Sequence, residues 1–183
     1  MRRALSLPLC QCLGNQASAK EVRDAWRSVF HDIECHTLHV DACNHLGETL
    51  LHFAALNGLP RDIACLLRLG ADPSLPTRFG ALPVHYVSHT YDTQDMLAKY
   101  TLLPVKNLAV QNNHGWTPLH CLLHRYRGYG TAMDAFVLDV LPWMVEHQSG
   151  LDVKTTASAN YAEALKLCNG FANAVSAHSE LLT

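Results

Sequence analysis

The stretch Gly47-Glu48-Thr49-Leu50-Leu51-His52 decides the fold of this chain, because its outline returns twice. Gly80-Ala81-Leu82-Pro83-Val84-His85 and Gly115-Trp116-Thr117-Pro118-Leu119-His120 carry the same glycine and the same histidine five residues on. The glycines fall 33 and 35 residues apart. A fixed period of this size marks a solenoid, in which each unit buries its core only by stacking on its neighbours. Such an array offers a long exposed face and no closed pocket. The expected function is therefore binding.

Outward from Gly47, Thr49 opens a helix through about Leu56, and Asn57-Gly58 supplies a turn. Pro60 begins a second helix, where a missing amide is harmless because first-turn amides have no helical partner. Ile63, Leu66 and Leu67 form its inward side, and Gly70 ends it in a left-handed conformation. Ala71-Asp72-Pro73 leads into an extended crossing. Upstream, Ser18-Ala19-Lys20-Glu21 has the spacing of a capping box. Val22, Ala25, Trp26, Val29, Phe30 and Ile33 follow as one apolar stripe on a helix to about Glu34. A one-sided helix at the start of a stack acts as a cap.

The central pattern resembles the ankyrin repeat. The family's Gly-x-Thr-Pro-Leu-His-x-Ala-Ala-x-x-Gly is matched by Gly47, Thr49, Leu51, His52, Ala54, Ala55 and Gly58, with Leu50 in place of proline. Its second half, Leu-Leu-x-x-Gly-Ala-Asp, is matched by Leu66, Leu67, Gly70, Ala71 and Asp72. The second copy keeps Gly80, Pro83 and His85 but has Leu82 for threonine and Tyr91 where the inter-helix glycine belongs. The third has Thr117-Pro118-Leu119-His120 in full. Val40-Asp41-Ala42 resembles the tail of a preceding copy, and Asn169-Gly170, at the offset from Ala159 that Asn57-Gly58 has from Gly47, marks a weaker echo with Leu165, Val175, Leu181 and Leu182 inward.

The resemblance implies an all-α ankyrin-repeat solenoid of about four to five helix-turn-helix units, with short hairpin-like connections and degenerate caps. An arm occupies residues 1–17 and the repeat domain 18–182. Within it, 18–43 is a cap repeat, 44–76 and 77–111 are repeats, 112–154 is an enlarged repeat and 155–182 a C-terminal cap. The enlargement falls at Arg125-Tyr126-Arg127-Gly128-Tyr129-Gly130 and the helix expected over Met133–Glu146. Loop insertions in such arrays project from one face.

In the ankyrin family partners dock on hairpin tips and inner helices. Carried over, the first full repeat offers His45, Leu46, Glu48, Leu56 and Asn57. The second offers Arg78, Phe79, Ala81, His89 and Thr90, and the third Asn113, His114, Trp116, His124 and Arg125. Leu46, Phe79 and Trp116 are large apolar residues at hairpin positions, and aromatic anchors beside arginine are the usual make-up of a binding hot spot. The alternative is that they fold back onto neighbouring hairpins. Histidines on this face would make binding pH-dependent near pH 6.5.

Other chemistry finds little support. The repeat histidines lie roughly ten ångströms apart in a stack, too far for one metal ion, and in the family this histidine hydrogen-bonds the threonine. His31, Cys35, His36 and His39, with Cys43 and His45 behind, match no strong zinc spacing. Cys121 beside His120, or Cys10 and Cys12, lacks the base and orienting group of a thiol nucleophile. No catalytic residue, metal or cofactor is expected. With 183 residues, 49% hydrophobic and 16% charged, and a net charge of −2, the chain has no basic excess for nucleic acid. Seven cysteines, an odd number without a framework, fit reduced thiols in a cytoplasm. Met1-Arg2-Arg3, an apolar run to Gly14 and Ala17-Ser18-Ala19 outline a weak signal peptide, interrupted by Pro8, Gln11 and two cysteines. No apolar run is long enough to span a bilayer. By analogy with the family, such drift fits a bacterial effector, an adaptor, or an inhibitor acting through the arm or the Arg125–Gly130 loop.

Overall fold

The computed structural model describes residues 18–57, 59–89, 93–103, 108–126 and 140. The arm at 1–17, Gly58, Thr90, Tyr91, Arg127–Gly130, the helix expected over 133–146 (Val140 aside) and the C-terminal cap lie outside them. The chain divides into two units, Met1–Val105 and Lys106–Thr183.

In the first unit, α1 spans Ala19–Glu34 and opens as its sequence predicts. Glu21 Oε2 accepts the Ser18 amide at 2.8 Å, and the Glu21 amide donates back to Ser18 Oγ at 3.3 Å. These contacts satisfy two of the donors a helix start leaves free. The Ser18 hydroxyl, donating to Glu21 Oε2 at 2.6 Å, and the Ser18 amide beside it hold the exposed Glu21 carboxyl below the usual carboxylate range. Trp26, Val29 and Ile33 are buried from the expected stripe. His36, just past the helix, takes a left-handed φ of 58° and turns the chain out of it.

Helix α2 is Leu50–Asn57 and α3 is Pro60–Arg68, with Pro60 in the first turn as expected. Leu59 cannot cap α3, so Asp62 reaches back and its Oδ2 accepts the Leu59 amide at 2.8 Å. Gly70 stands at φ 90°, ending the helix in the left-handed region predicted from the sequence. Leu50, Leu51, Ala54, Ala55, Ile63 and Leu66 are nearly or fully buried. Each buried large aliphatic stabilises the fold by roughly 1.5–3 kcal/mol.

The next repeat departs from the first. Helix α4 is only Pro83–Tyr86 and tightens into a 3₁₀ turn at Val87–His89. Ser88 Oγ donates to the His85 carbonyl at 2.9 Å, a local bond that competes with regular helix. Helix α5 spans Thr93–Leu102. Helix α2 packs on α3 and α4, and α3 on α5.

The buried positions of α5 are Met96, Lys99 and Tyr100, one helical face that includes a cation. Lys99 is 2% exposed, and its Nζ donates to the Ala55 carbonyl in the last turn of α2 at 3.2 Å. A positive charge there meets the negative end of the helix dipole. Burial nonetheless pushes the Lys99 amine down to about 8, with Asp95 and Asp62 opposing the shift.

In the second unit, α6 spans Pro118–Tyr126, preceded by the turn around Gly115. Leu119 and Leu122 are buried.

Candidate functional site

The hairpins are where a partner was expected, and each is built on a residue three before the repeat glycine. Asn44 Oδ1 accepts the amides of Leu46 and Glu48 at 2.9 and 3.0 Å. Thr77 Oγ1 accepts those of Phe79 and Ala81 at 3.3 and 3.2 Å. In the second unit Asn112 Oδ1 accepts those of His114 and Trp116 at 2.9 and 3.0 Å. Short oxygen-bearing side chains hold the chain reversal from inside, as in Asx and Ser/Thr turns. Gly47, Gly80 and Gly115 then take φ of 80°, 70° and 74°. At Gly47 a side chain fails twice, since a Cβ would also lie 3.3 Å from the Arg78 nitrogen and the Thr77 Cα.

Asn44, Thr77 and Asn112 were missed in the sequence, although the signal was present: a turn-forming polar residue at one fixed offset in all three copies.

The first two hairpins are joined. The Arg78 amide donates to the Leu46 carbonyl at 2.8 Å. Beneath them, the Thr49 amide, which can only donate, points at His52 Nδ1 from 3.1 Å. The ring proton therefore sits on Nε2 and is donated to the Ala81 carbonyl at 3.0 Å. Thr49 Oγ1 lies 2.9 Å from the same Nδ1. Tyr86 presents its ring to His52 edge-on, with centroids 5.1 Å apart, and its hydroxyl donates to Glu48 Oε1 at 2.7 Å. Asn44 Nδ2 donates to the other Glu48 oxygen at 2.6 Å.

His52 is completely buried, and burial pushes its pKa down to about 4. His120 repeats the arrangement in the second unit: Nδ1 accepts the Thr117 amide at 2.9 Å and lies against Thr117 Oγ1. Burial pushes it to about 4 as well. His85 accepts the Leu82 amide at 3.1 Å, with leucine supplying no hydroxyl. His52 is thus a neutral strut between two backbone groups, and Nδ1 of His120 and His85 accepts the equivalent amide.

Of the residues expected on the docking face, His45, Arg78, Phe79, Asn113 and His114 are exposed, whereas Leu46, Glu48, Leu56, Asn57 and Trp116 are half-buried. Phe79 is the most open large apolar side chain among the described residues, 51% exposed at the tip of its hairpin. Ala81 is corrected. Its side chain is buried, because its carbonyl must face inward to meet His52 and its amide to meet Thr77. The side chains of His89, His124 and Arg125 lie outside the described set, as does Thr90.

Burial pushes the Cys121 thiol up to about 12, far from a thiolate. His31 and Cys35 do share a face, with Sγ 3.7 Å from Nε2. No group of three or more His, Cys, Asp or Glu among the described residues is placed to hold a metal. No described helix is long and apolar enough to cross a membrane.

Comparison with known proteins agrees with this geometry. A family model described as ankyrin repeat matches residues 46–75. The ankyrin repeat domain of Bcl-3, described as a unique member of the IkappaB protein family, has a similar solved structure with a TM-score of 0.51. It is 16% identical and covers 86% of this chain and 78% of its own, a likeness of fold. Residues 46–75 are an ankyrin repeat, and the chain has the all-α fold of ankyrin-repeat domains.

Proposed function

We propose that this chain is a non-enzymatic interaction module that presents the hairpin at 77–81, with Phe79 at its tip, to another protein. Ankyrin repeats are protein–protein interaction modules, and the family is generally non-enzymatic. The observation that carries the proposal is Phe79 itself: an aromatic ring half open to water, beside the exposed Arg78, on a turn pinned by Thr77, Arg78 and Ala81. A turn fixed before docking loses little entropy on docking, so one anchor contributes more of its contact energy to affinity. The exposed His45 belongs to the neighbouring hairpin of the same unit.

In this reading the protein is a small adaptor, or a bacterial effector acting in a host cell, working in a reducing cytoplasm. Cys35, Cys43, Cys65 and Cys121 are free thiols, which supports that compartment. The test is affinity capture from the relevant lysate with the wild type and with Phe79→Ala, followed by titration of the captured protein. Phe79→Ala should weaken binding at least about tenfold, as truncating an interface anchor does. Its melting temperature should stay within about 2 °C of the wild type, because the ring leaves no buried void. Undiminished affinity overturns the proposal. If removing residues 1–17 abolishes an enzyme's inhibition while Phe79→Ala does not, the chain acts through its arm.

A further inference from the structure

Two large apolar side chains are exposed among the described residues, and the second, Leu59, is far in sequence from any repeat hairpin tip. It sits between α2 and α3 at the rim of a cleft of about 240 Å³. From α1 come Arg23, Trp26, Arg27 and Phe30, and from the start of α3 comes Arg61. Of the cleft's lining only Asn57 belongs to the docking face that the family resemblance implied; the residues from α1 had no role in it.

Three properties specify an occupant. The first is size: small-molecule pockets run from about 300 to 1,000 Å³, so this cleft takes one or two side chains of a larger partner. The second is apolar floor: Trp26 and Phe30 stack with centroids 5.7 Å apart, and Leu59 stands 40% exposed beside them.

The third is charge. Arg23, Arg27 and Arg61 line the cleft against a single carboxylate, Asp62. Asp62 is already engaged with the Leu59 amide, and its Oδ1 lies 4.0 Å from Arg61 Nε. Arg27 meets Asp24 at 3.3 Å, with both side chains largely in water. Exposed pairs of this kind hold together weakly, so an incoming carboxylate displaces them easily.

One polar group is also left over. Trp26 is 3% exposed, and its indole Nε1–H has no acceptor among the described residues. A buried donor without a partner is costly. A small ring movement toward a partner's carbonyl or carboxylate recovers that energy.

We propose that the cleft between α1 and the start of α3 is a second docking site, for a short acidic segment of a partner protein that seats an apolar side chain on Trp26, Phe30 and Leu59 and its carboxylates on Arg23, Arg27 and Arg61. It is independent of the Phe79 hairpin. One chain could hold two segments, or two partners, at once.

The experiment uses the full chain and a fluorescein-labelled peptide of about ten residues alternating leucine or phenylalanine with aspartate and glutamate. A second peptide carries lysine at every acidic position. Fluorescence polarisation should show the acidic peptide binding, with affinity falling as salt is raised, and the basic peptide not binding. Arg23→Glu combined with Arg61→Glu should weaken the acidic peptide at least about tenfold. The alanine pair Arg23→Ala/Arg61→Ala should weaken it less, and circular dichroism checks that both variants are folded. Trp26→Phe, which keeps a stacked ring but removes the donor, should weaken it several-fold. Phe79→Ala should leave it unchanged. Equal binding of both peptides, no binding at millimolar peptide, or full affinity in the folded charge-reversed variant overturns the proposal.

Discussion

The two repeats of the first unit place a histidine in the same register and hold it differently. In the first, His52 lies under Thr49, takes both its amide and its hydroxyl, and donates across to Ala81 of the next hairpin. In the second, His85 takes the Leu82 amide, with leucine standing where the first repeat has threonine. The helix above His52 runs eight residues, whereas the one carrying His85 runs four before tightening. The bond from the backbone amide to Nδ1 is thus the part that the histidine's position alone secures. The threonine hydroxyl is an addition, and the Nε2 bond from His52 to Ala81 ties the first repeat to the second.

The sharpest way to break this comparison is to remove both rings in turn. His52→Ala takes the acceptor from the Thr49 amide and one of two donors from the Ala81 carbonyl, which keeps the Thr77 amide, and opens a void in a fully buried site. The expected loss is about 4 kcal/mol, a fall in melting temperature of roughly 10 °C. His85→Ala takes away no threonine hydroxyl contact and should lose about 1 kcal/mol less. Equal losses from the two variants in urea or thermal unfolding would mean that the Thr49 hydroxyl contributes nothing.

Acid probes the same strut without mutation. The folded chain keeps His52 and His120 neutral until about pH 4, whereas the unfolded chain protonates them near their ordinary value of 6.5. Between these values the unfolded state binds more protons, so stability falls as pH drops from about 6.5 to 4 and rises again on return. Each histidine contributes on the order of 3 kcal/mol across the whole window. Urea midpoints at pH 7 and 4.5 measure it, and His52→Gln should flatten the slope for the first unit. A flat wild-type profile above pH 5 would show that the rings are charged and solvated.

The same contrast explains what could be read in the sequence. Glycines at φ near 80°, Pro60 at a helix start, the Ser18–Glu21 box and Gly70 at a helix end are local rules, and each fixed its turn or cap in place. Ala81 and Lys99 depend on partners about 30 and 44 residues away, contacts that no local pattern carries. Lysine on α5 reads as a solvated position until the open carbonyl of Ala55 is placed beside it. The Trp26 cleft was hidden for a related reason. Trp26 fits a core stripe perfectly well, and only packing shows that its N–H lacks an acceptor among the described residues and that three arginines gather around it.

The smallest expected effect converts the first repeat toward the second. Thr49→Val keeps the branched shape at the head of α2 and removes only the hydroxyl 2.9 Å from His52 Nδ1. The Thr49 amide and the Ala81 carbonyl keep their bonds, so nothing buried loses its last partner. One hydrogen bond of this kind is worth about 1 kcal/mol net, a shift of roughly 2–4 °C. Because His52 stays buried in the variant, the acid slope should survive unchanged in position. A loss as large as that of His52→Ala would mean that the hydroxyl, rather than the amide, sets the ring, and the second repeat would then need another source of support for His85.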